Sequence, residues 1–166
     1  MSLETTTHVA ASITLADYTC SGLIVPRLRE RDTAGVISEL SHLLQREGSI
    51  PDVLHFYQAA LNQELLANSA LESGLAIPHA RLSGTKQLQF AFGRIPEPIV
   101  WGARSPWHVQ LVFLLAVPAT DAATYLHLLA SLARLGQQSE LLVHLKQAED
   151  AEAILGVFQQ IRLRQG

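Results

Sequence analysis

Glu72-Ser73-Gly74-Leu75-Ala76-Ile77-Pro78-His79-Ala80-Arg81 is the stretch on which the fold turns. Leu75 to Ile77 is an apolar run too short for a helix. Pro78 has no N–H and a fixed φ, so a strand is expected to stop here with His79 at its rim. The rim of a sheet is where an α/β protein mounts its chemistry, and a neutral imidazole there is a candidate nucleophile. The plainer alternative is a histidine that only hydrogen-bonds a backbone group beside a turn.

Upstream of this stretch, Leu23 to Leu28 reads as a strand. Asp32-Thr33 can cap a helix through Arg46, with Val36, Ile37, Leu40, Leu43 and Leu44 at helical spacing and Gly48 as its stop. Pro51-Asp52 starts a second helix to about Asn68, with Val53, Leu54, Tyr57, Ala60, Leu61 and Leu65 expected on its buried side. Downstream, Gln87 to Ile95, Ile99 to Gly102 and His108 to Val117 read as strands punctuated by Pro96, Pro98 and Pro106. The nearly unbroken apolar run from Val109 to Leu115 marks a central strand covered on both faces, so helices should sandwich the sheet. Thr120-Asp121 caps a third helix through Leu135, Ser139 to Gln147 is a fourth, and Asp150 caps a last one to about Arg162.

Composition narrows the classes. The 166 residues suit a single domain over 12–166, and residues 1–11 read as a loose tail or an expression scar. Hydrophobic residues make up 48% and charged residues 16%, which describes a packed interior. Twelve Lys and Arg against fifteen Asp and Glu leave a net charge of -3, so no footprint for nucleic acid is visible. The single cysteine, Cys20, rules out an internal disulfide and a cysteine-based zinc knuckle and fits a reducing, cytoplasmic compartment. No apolar segment reaches the length of a membrane span, and the N-terminus lacks the basic start and apolar core of a secretion signal.

The residues from Leu61 to Arg81, ending in Gly74-Leu75-Ala76-Ile77-Pro78-His79, resemble the active-site segment of the enzyme IIA domains of the bacterial phosphoenolpyruvate-dependent sugar phosphotransferase system, fructose/mannitol type. That family includes the nitrogen-regulatory enzyme IIA proteins. Val112 to Pro118, followed by Tyr125-Leu126-His127-Leu128-Leu129, is similar to the family's strand, proline and histidine-bearing helix in the same order. The resemblance implies an α/β/α sandwich with a central mixed sheet. It also implies a phosphotransferase with a phosphohistidine intermediate and no cofactor. A small histidine phosphocarrier protein would supply the phosphoryl group; a IIB domain would receive it, or a regulatory target would read it. His79 matches the phospho-accepting position and His127 the family's second histidine, whose N–H would donate to a phosphate oxygen.

Departures from the family's pattern set the alternative. Where the family carries Arg-Glu, this chain has Gln63-Glu64, so the guanidinium that would brace a phosphate is replaced by an uncharged donor. Ala67-Asn68-Ser69 stands where the family has Gly-Ser-Thr and keeps one hydroxyl, at Ser69. Arg81 is the candidate replacement cation. The alternative is therefore a regulatory binding module of the same fold, weakened in transfer and acting through protein contacts. His8, His42, His55, His108 and His144 show no ligand spacing, and no metal site is expected. Asp121 reads as a helix cap, and Arg94 and Arg104 as solubilising surface residues. A peripheral contact with a membrane transporter fits this class, and the apolar positions Leu128, Leu129, Leu132 and Leu135 leave room for an oligomer face.

Overall fold

A computed structural model describes residues 12–163. The tail expected over residues 1–11 lies outside them. Five strands and five α-helices follow in order: β1 (Ile24–Val25), α1 (Thr33–Arg46), α2 (Val53–Leu66), β2 (Leu75–Ala76), β3 (His79–Leu82), β4 (Gln89–Val100), β5 (His108–Pro118), α3 (Ala122–Leu135), α4 (Ser139–Gln147) and α5 (Ala151–Phe158). Four of the helices begin on an aspartate whose carboxylate takes backbone N–H groups of the first turn. Asp32 accepts from Gly35, Asp52 from Leu54 and His55, Asp121 from Thr124 and Asp150 from Ala153.

The sheet is mixed, in the order β1-β4-β5-β2, with β3 also on β5. β4 and β5 run antiparallel, whereas β1 on β4 and β2 and β3 on β5 are parallel. Side chains of β5 alternate between two cores. Leu111, Phe113, Leu115 and Val117 join the core under α3, α4 and α5, while Val112, Leu114 and Ala116 join the core under α1 and α2. The first core is braced by Phe90, Phe92, Phe113 and Phe158, with ring centroids 4.9–5.8 Å apart. The layers are those of an α/β/α sandwich.

Several sequence boundaries move, each for a local reason. The strand expected at Leu23 to Leu28 shrinks to Ile24–Val25, because Pro26 follows with no N–H to continue the ladder. The two strands expected around Pro96 and Pro98 are one, β4, whose pairing with β5 slips between Arg94 and Ile99. The last helix ends at Phe158, and Arg162 instead bridges to Thr14. Arg94 is not a surface solubiliser: its guanidinium donates to Pro26 O at 2.8 Å and to Leu145 O at 2.8 Å, capping the end of α4.

Helix α2 is turned relative to its expected face. Its buried residues are Phe56, Ala60 and Glu64, and Leu54 and Leu65 are 61% and 67% exposed. Glu64 is drawn in because one carboxylate oxygen accepts from Trp101 Nε1 at 2.6 Å, Ser69 N at 2.9 Å and Ser69 Oγ at 2.9 Å. Trp101 is a remote partner and Ser69 lies just past the end of the helix, and neither is visible in the helical period.

The strand before the Pro-His turn does not stop at Pro78. Leu75 pairs with Leu111 and His79 with Leu115, the same offset on both sides of the proline. Pro78 deletes one ladder donor, yet its carbonyl still accepts from Leu115 N at 2.9 Å, so the chain resumes pairing as β3. β2 and β3 are thus one interrupted edge strand. Its outward-facing groups are met by local partners rather than by a further strand. Leu71 N donates to Leu75 O at 2.8 Å and Ile77 N donates to Ser69 Oγ at 2.9 Å. The turn that brings Leu71 back uses Gly74 at φ +93, a left-handed conformation that favours glycine.

Candidate active site

His79 opens β3 on this edge, half-buried, where the two helical layers approach each other around the sheet margin. Around it lies an open recess of about 350 Å³ lined by Ala59 and Gln63 of α2, His79, Ala80 and Arg81 of β3, and Tyr125 of α3. No carboxylate lines it. Its polar groups are an imidazole, a guanidinium, an amide and a phenol.

The imidazole is held from both nitrogens. Nδ1 lies 3.5 Å from Ile77 O, a long contact, and Nε2 lies 3.2 Å from the Tyr125 hydroxyl. A carbonyl only accepts, so this contact favours a proton on Nδ1, which leaves Nε2 to accept from the Tyr125 O–H. The rings also pack, with centroids 5.3 Å apart at 45°. Burial raises the Tyr125 phenol above its ordinary value near 10, with Arg81 opposing the shift, so this hydroxyl is a neutral donor at physiological pH.

Of the residues expected from the sequence, three meet in the recess: His79, Gln63 and Arg81. Arg81 is exposed and directs Nε and Nη2 at Ala119 O, at 3.1 and 2.6 Å, which ties β3 to the loop before α3. Ser69 lies behind the histidine, donating to Glu64 and accepting from Ile77 N, so its hydroxyl supports the strand rather than lining the recess. His127 is not brought to His79. It is exposed, and Tyr125 meets the ring instead. Two residues on a helix are about 200° apart around the axis, so 125 and 127 cannot both face β3. Tyr125 was recoverable from the phase of Leu128, Leu132 and Leu135, the buried face of α3, on which it falls three residues before Leu128. Glu64, named in the sequence only beside Gln63, was given no role there, because the partner that draws it inward, Trp101, is 37 residues away.

Residues 20–161 match the family model described as "Phosphoenolpyruvate-dependent sugar phosphotransferase system, EIIA 2". The chain belongs to this EIIA type-2 family. Among the relatives of this EIIA domain, the 2-O-alpha-mannosyl-D-glycerate-specific EIIABC component of Escherichia coli is 31% identical over 95% of the chain. The nitrogen regulatory protein of Bradyrhizobium diazoefficiens is 30% identical over 87%. The chain spans 22% of the length of the first and 94% of the second. The crystal structure of nitrogen regulatory protein IIA-Ntr from Neisseria meningitidis superposes with a TM-score of 0.73 at 28% identity, covering 87% of this chain and 98% of that one. The fold is also that of IIA mannitol in its complex with phosphorylated IIB mannitol from Escherichia coli, with a TM-score of 0.72 at 16% identity, over 85% of this chain and 96% of that one. Within the described residues no helix is long and apolar enough to cross a membrane.

Proposed function

We propose that this EIIA domain accepts a phosphoryl group on His79 Nε2 from a small histidine phosphocarrier protein and passes it to a IIB-type domain or keeps it as a regulatory mark. The observation that carries this reading is the placement of His79 Nε2 on a recess lined by a cation, an amide and a phenol but by no carboxylate. A dianionic group would be repelled by a carboxylate and is favoured by the donors present.

The step balances without a net proton. Nε2 donates its lone pair to phosphorus as the phosphorus–nitrogen bond of the donor phosphohistidine breaks, and that electron pair returns to the donor's ring. His79 keeps its Nδ1–H toward Ile77 O and becomes a phosphorylated imidazolium, its positive charge offset by the phosphoryl oxygens. Gln63 and Arg81 then lie beside the arriving oxygens. Arg81 contributes fully only after leaving Ala119 O.

The upstream and downstream partners are read from the family and from the IIA mannitol complex with phosphorylated IIB mannitol. A second reading, a regulatory module with slow transfer, is favoured by one specific observation. Position 63 is an uncharged glutamine and the remaining cation is engaged by a backbone carbonyl. The 30% identity to the Bradyrhizobium nitrogen regulatory protein agrees with it.

Both readings share a test. Incubation with phosphoenolpyruvate, enzyme I and the histidine phosphocarrier protein is expected to give an acid-labile phosphoryl label that His79→Ala abolishes. His127→Ala should retain the label. An unlabelled wild-type protein would end the phosphocarrier reading.

A further inference from the structure

Tyr125 has no part in the sequence-derived site, yet its hydroxyl is the group nearest the reactive face of His79. We infer that Tyr125 is a positioning residue: its phenol favours the Nδ1–H tautomer of His79, covers Nε2 until a phosphoryl donor docks, and then donates to the transferred group. The inference rests on the phosphoryl-transfer reading of the same recess and adds to it the residue that controls the nucleophile.

Three observations carry it. First, the Nδ1 contact to Ile77 O is 3.5 Å, at the outer limit of a hydrogen bond, whereas Tyr125 Oη lies 3.2 Å from Nε2. The carbonyl sets the direction of the tautomer but holds it weakly; a phenol donates more readily than it accepts, so its contact with Nε2 adds to that bias and removing it should loosen the tautomer. Second, Oη sits at bonding distance from the one nitrogen that can attack, so a phosphorus atom cannot approach Nε2 along its lone pair without displacing it. Displacement need not carry the side chain away: Tyr125 and His79 line the same recess, and a small rotation places the O–H among the phosphoryl oxygens. Third, the hydroxyl is well held for this task. Tyr125 lies in the first turn of α3, a helix started by the Asp121 cap, and its ring packs on the imidazole at 5.3 Å. A phenol in this position donates without adding charge and does not gain or lose a proton in the range where imidazoles titrate.

Tyr125→Phe tests this, because it keeps the ring packing and removes only the hydroxyl. Nitrogen-15 NMR of the histidine rings, with His79 assigned through His79→Ala, reads the tautomer directly. Wild type is expected to show a pyridine-like Nε2 and a protonated Nδ1, and Tyr125→Phe a mixture with a substantial Nε2–H population. In the labelling reaction, Tyr125→Phe should lower the single-turnover rate by about 10- to 100-fold with little change in its dependence on carrier concentration. Tyr125→His, which restores a donor, should recover part of that rate. An unchanged His79 tautomer in Tyr125→Phe would overturn the inference, as would an undiminished transfer rate. A shifted tautomer in a protein that no phosphocarrier labels would sink the transfer reading and leave the positioning of His79 by Tyr125 standing.

Discussion

At the scale of single residues, the site is organised around acceptors that cannot donate. Ile77 O can only accept from His79 Nδ1, which favours a lone pair on Nε2, and Glu64 accepts three donors on one oxygen. Glu64 is 5% exposed, and among the described residues it forms no ion pair. It is held by hydrogen bonds alone. Glu64→Ala would leave Trp101 Nε1 and Ser69 N unsatisfied, at a cost of about 2–4 kcal/mol in urea unfolding. Titration gives a second prediction at this scale. Burial raises the Tyr125 and Tyr18 phenols above 10, so folding favours their neutral form. Their contribution to stability is complete below pH 10 and is lost as pH climbs through the higher folded values. Melting temperature should therefore fall above pH 10, and Tyr125→Phe with Tyr18→Phe should flatten that fall. The sequence singled out His79 but not the groups that hold it. Ile77, Pro78 and His79 are neighbours in the chain, whereas Tyr125 and Trp101 reach His79 and Glu64 from remote elements.

At the scale of elements, local chemistry was legible wherever it needed no partner. The aspartate caps of α1, α2, α3 and α5 stand where side-chain chemistry alone puts them, and the apolar run of β5 became the doubly covered central strand. What misled was a polar residue drawn inward, as in the phase of α2 around Glu64, and a proline inside a strand, as at Pro78 and Pro96. Periodicity treats a carboxylate as an outward residue and a proline as a stop, and tertiary donors or a single skipped ladder bond override both. β5 carries the heaviest packing. Phe113 is fully buried between Phe90, Phe92 and Phe158, so Phe113→Ala should cost about 3–5 kcal/mol, read as a lower urea midpoint with an unchanged slope. Asp121→Ala removes only a cap, 3.3 Å from Thr124 N, and should cost about 1 kcal/mol. Because that cap begins the helix carrying Tyr125, the same variant should also slow labelling.

At the scale of the molecule, two helical layers close over one margin of a mixed sheet and leave His79 where they meet. Its chemistry therefore draws on α2, α3 and β3 together, and a charge added from any of them reaches the recess. Gln63→Arg brings a second cation to the lining from the α2 side. It is expected to raise the labelling rate by about 10- to 100-fold, with Arg81 still tied to Ala119 O. An unchanged rate would show that cationic charge does not limit transfer.

The interrupted strand at that margin has another consequence. An unprotected sheet border invites a neighbouring chain to add its own strand, the opening step of many aggregates. Here Leu71 and Ser69 already engage the outward groups of Leu75 and Ile77, and both pieces of the border are short. The residues that support His79 thus also leave this border fewer open groups for a neighbouring chain to pair with.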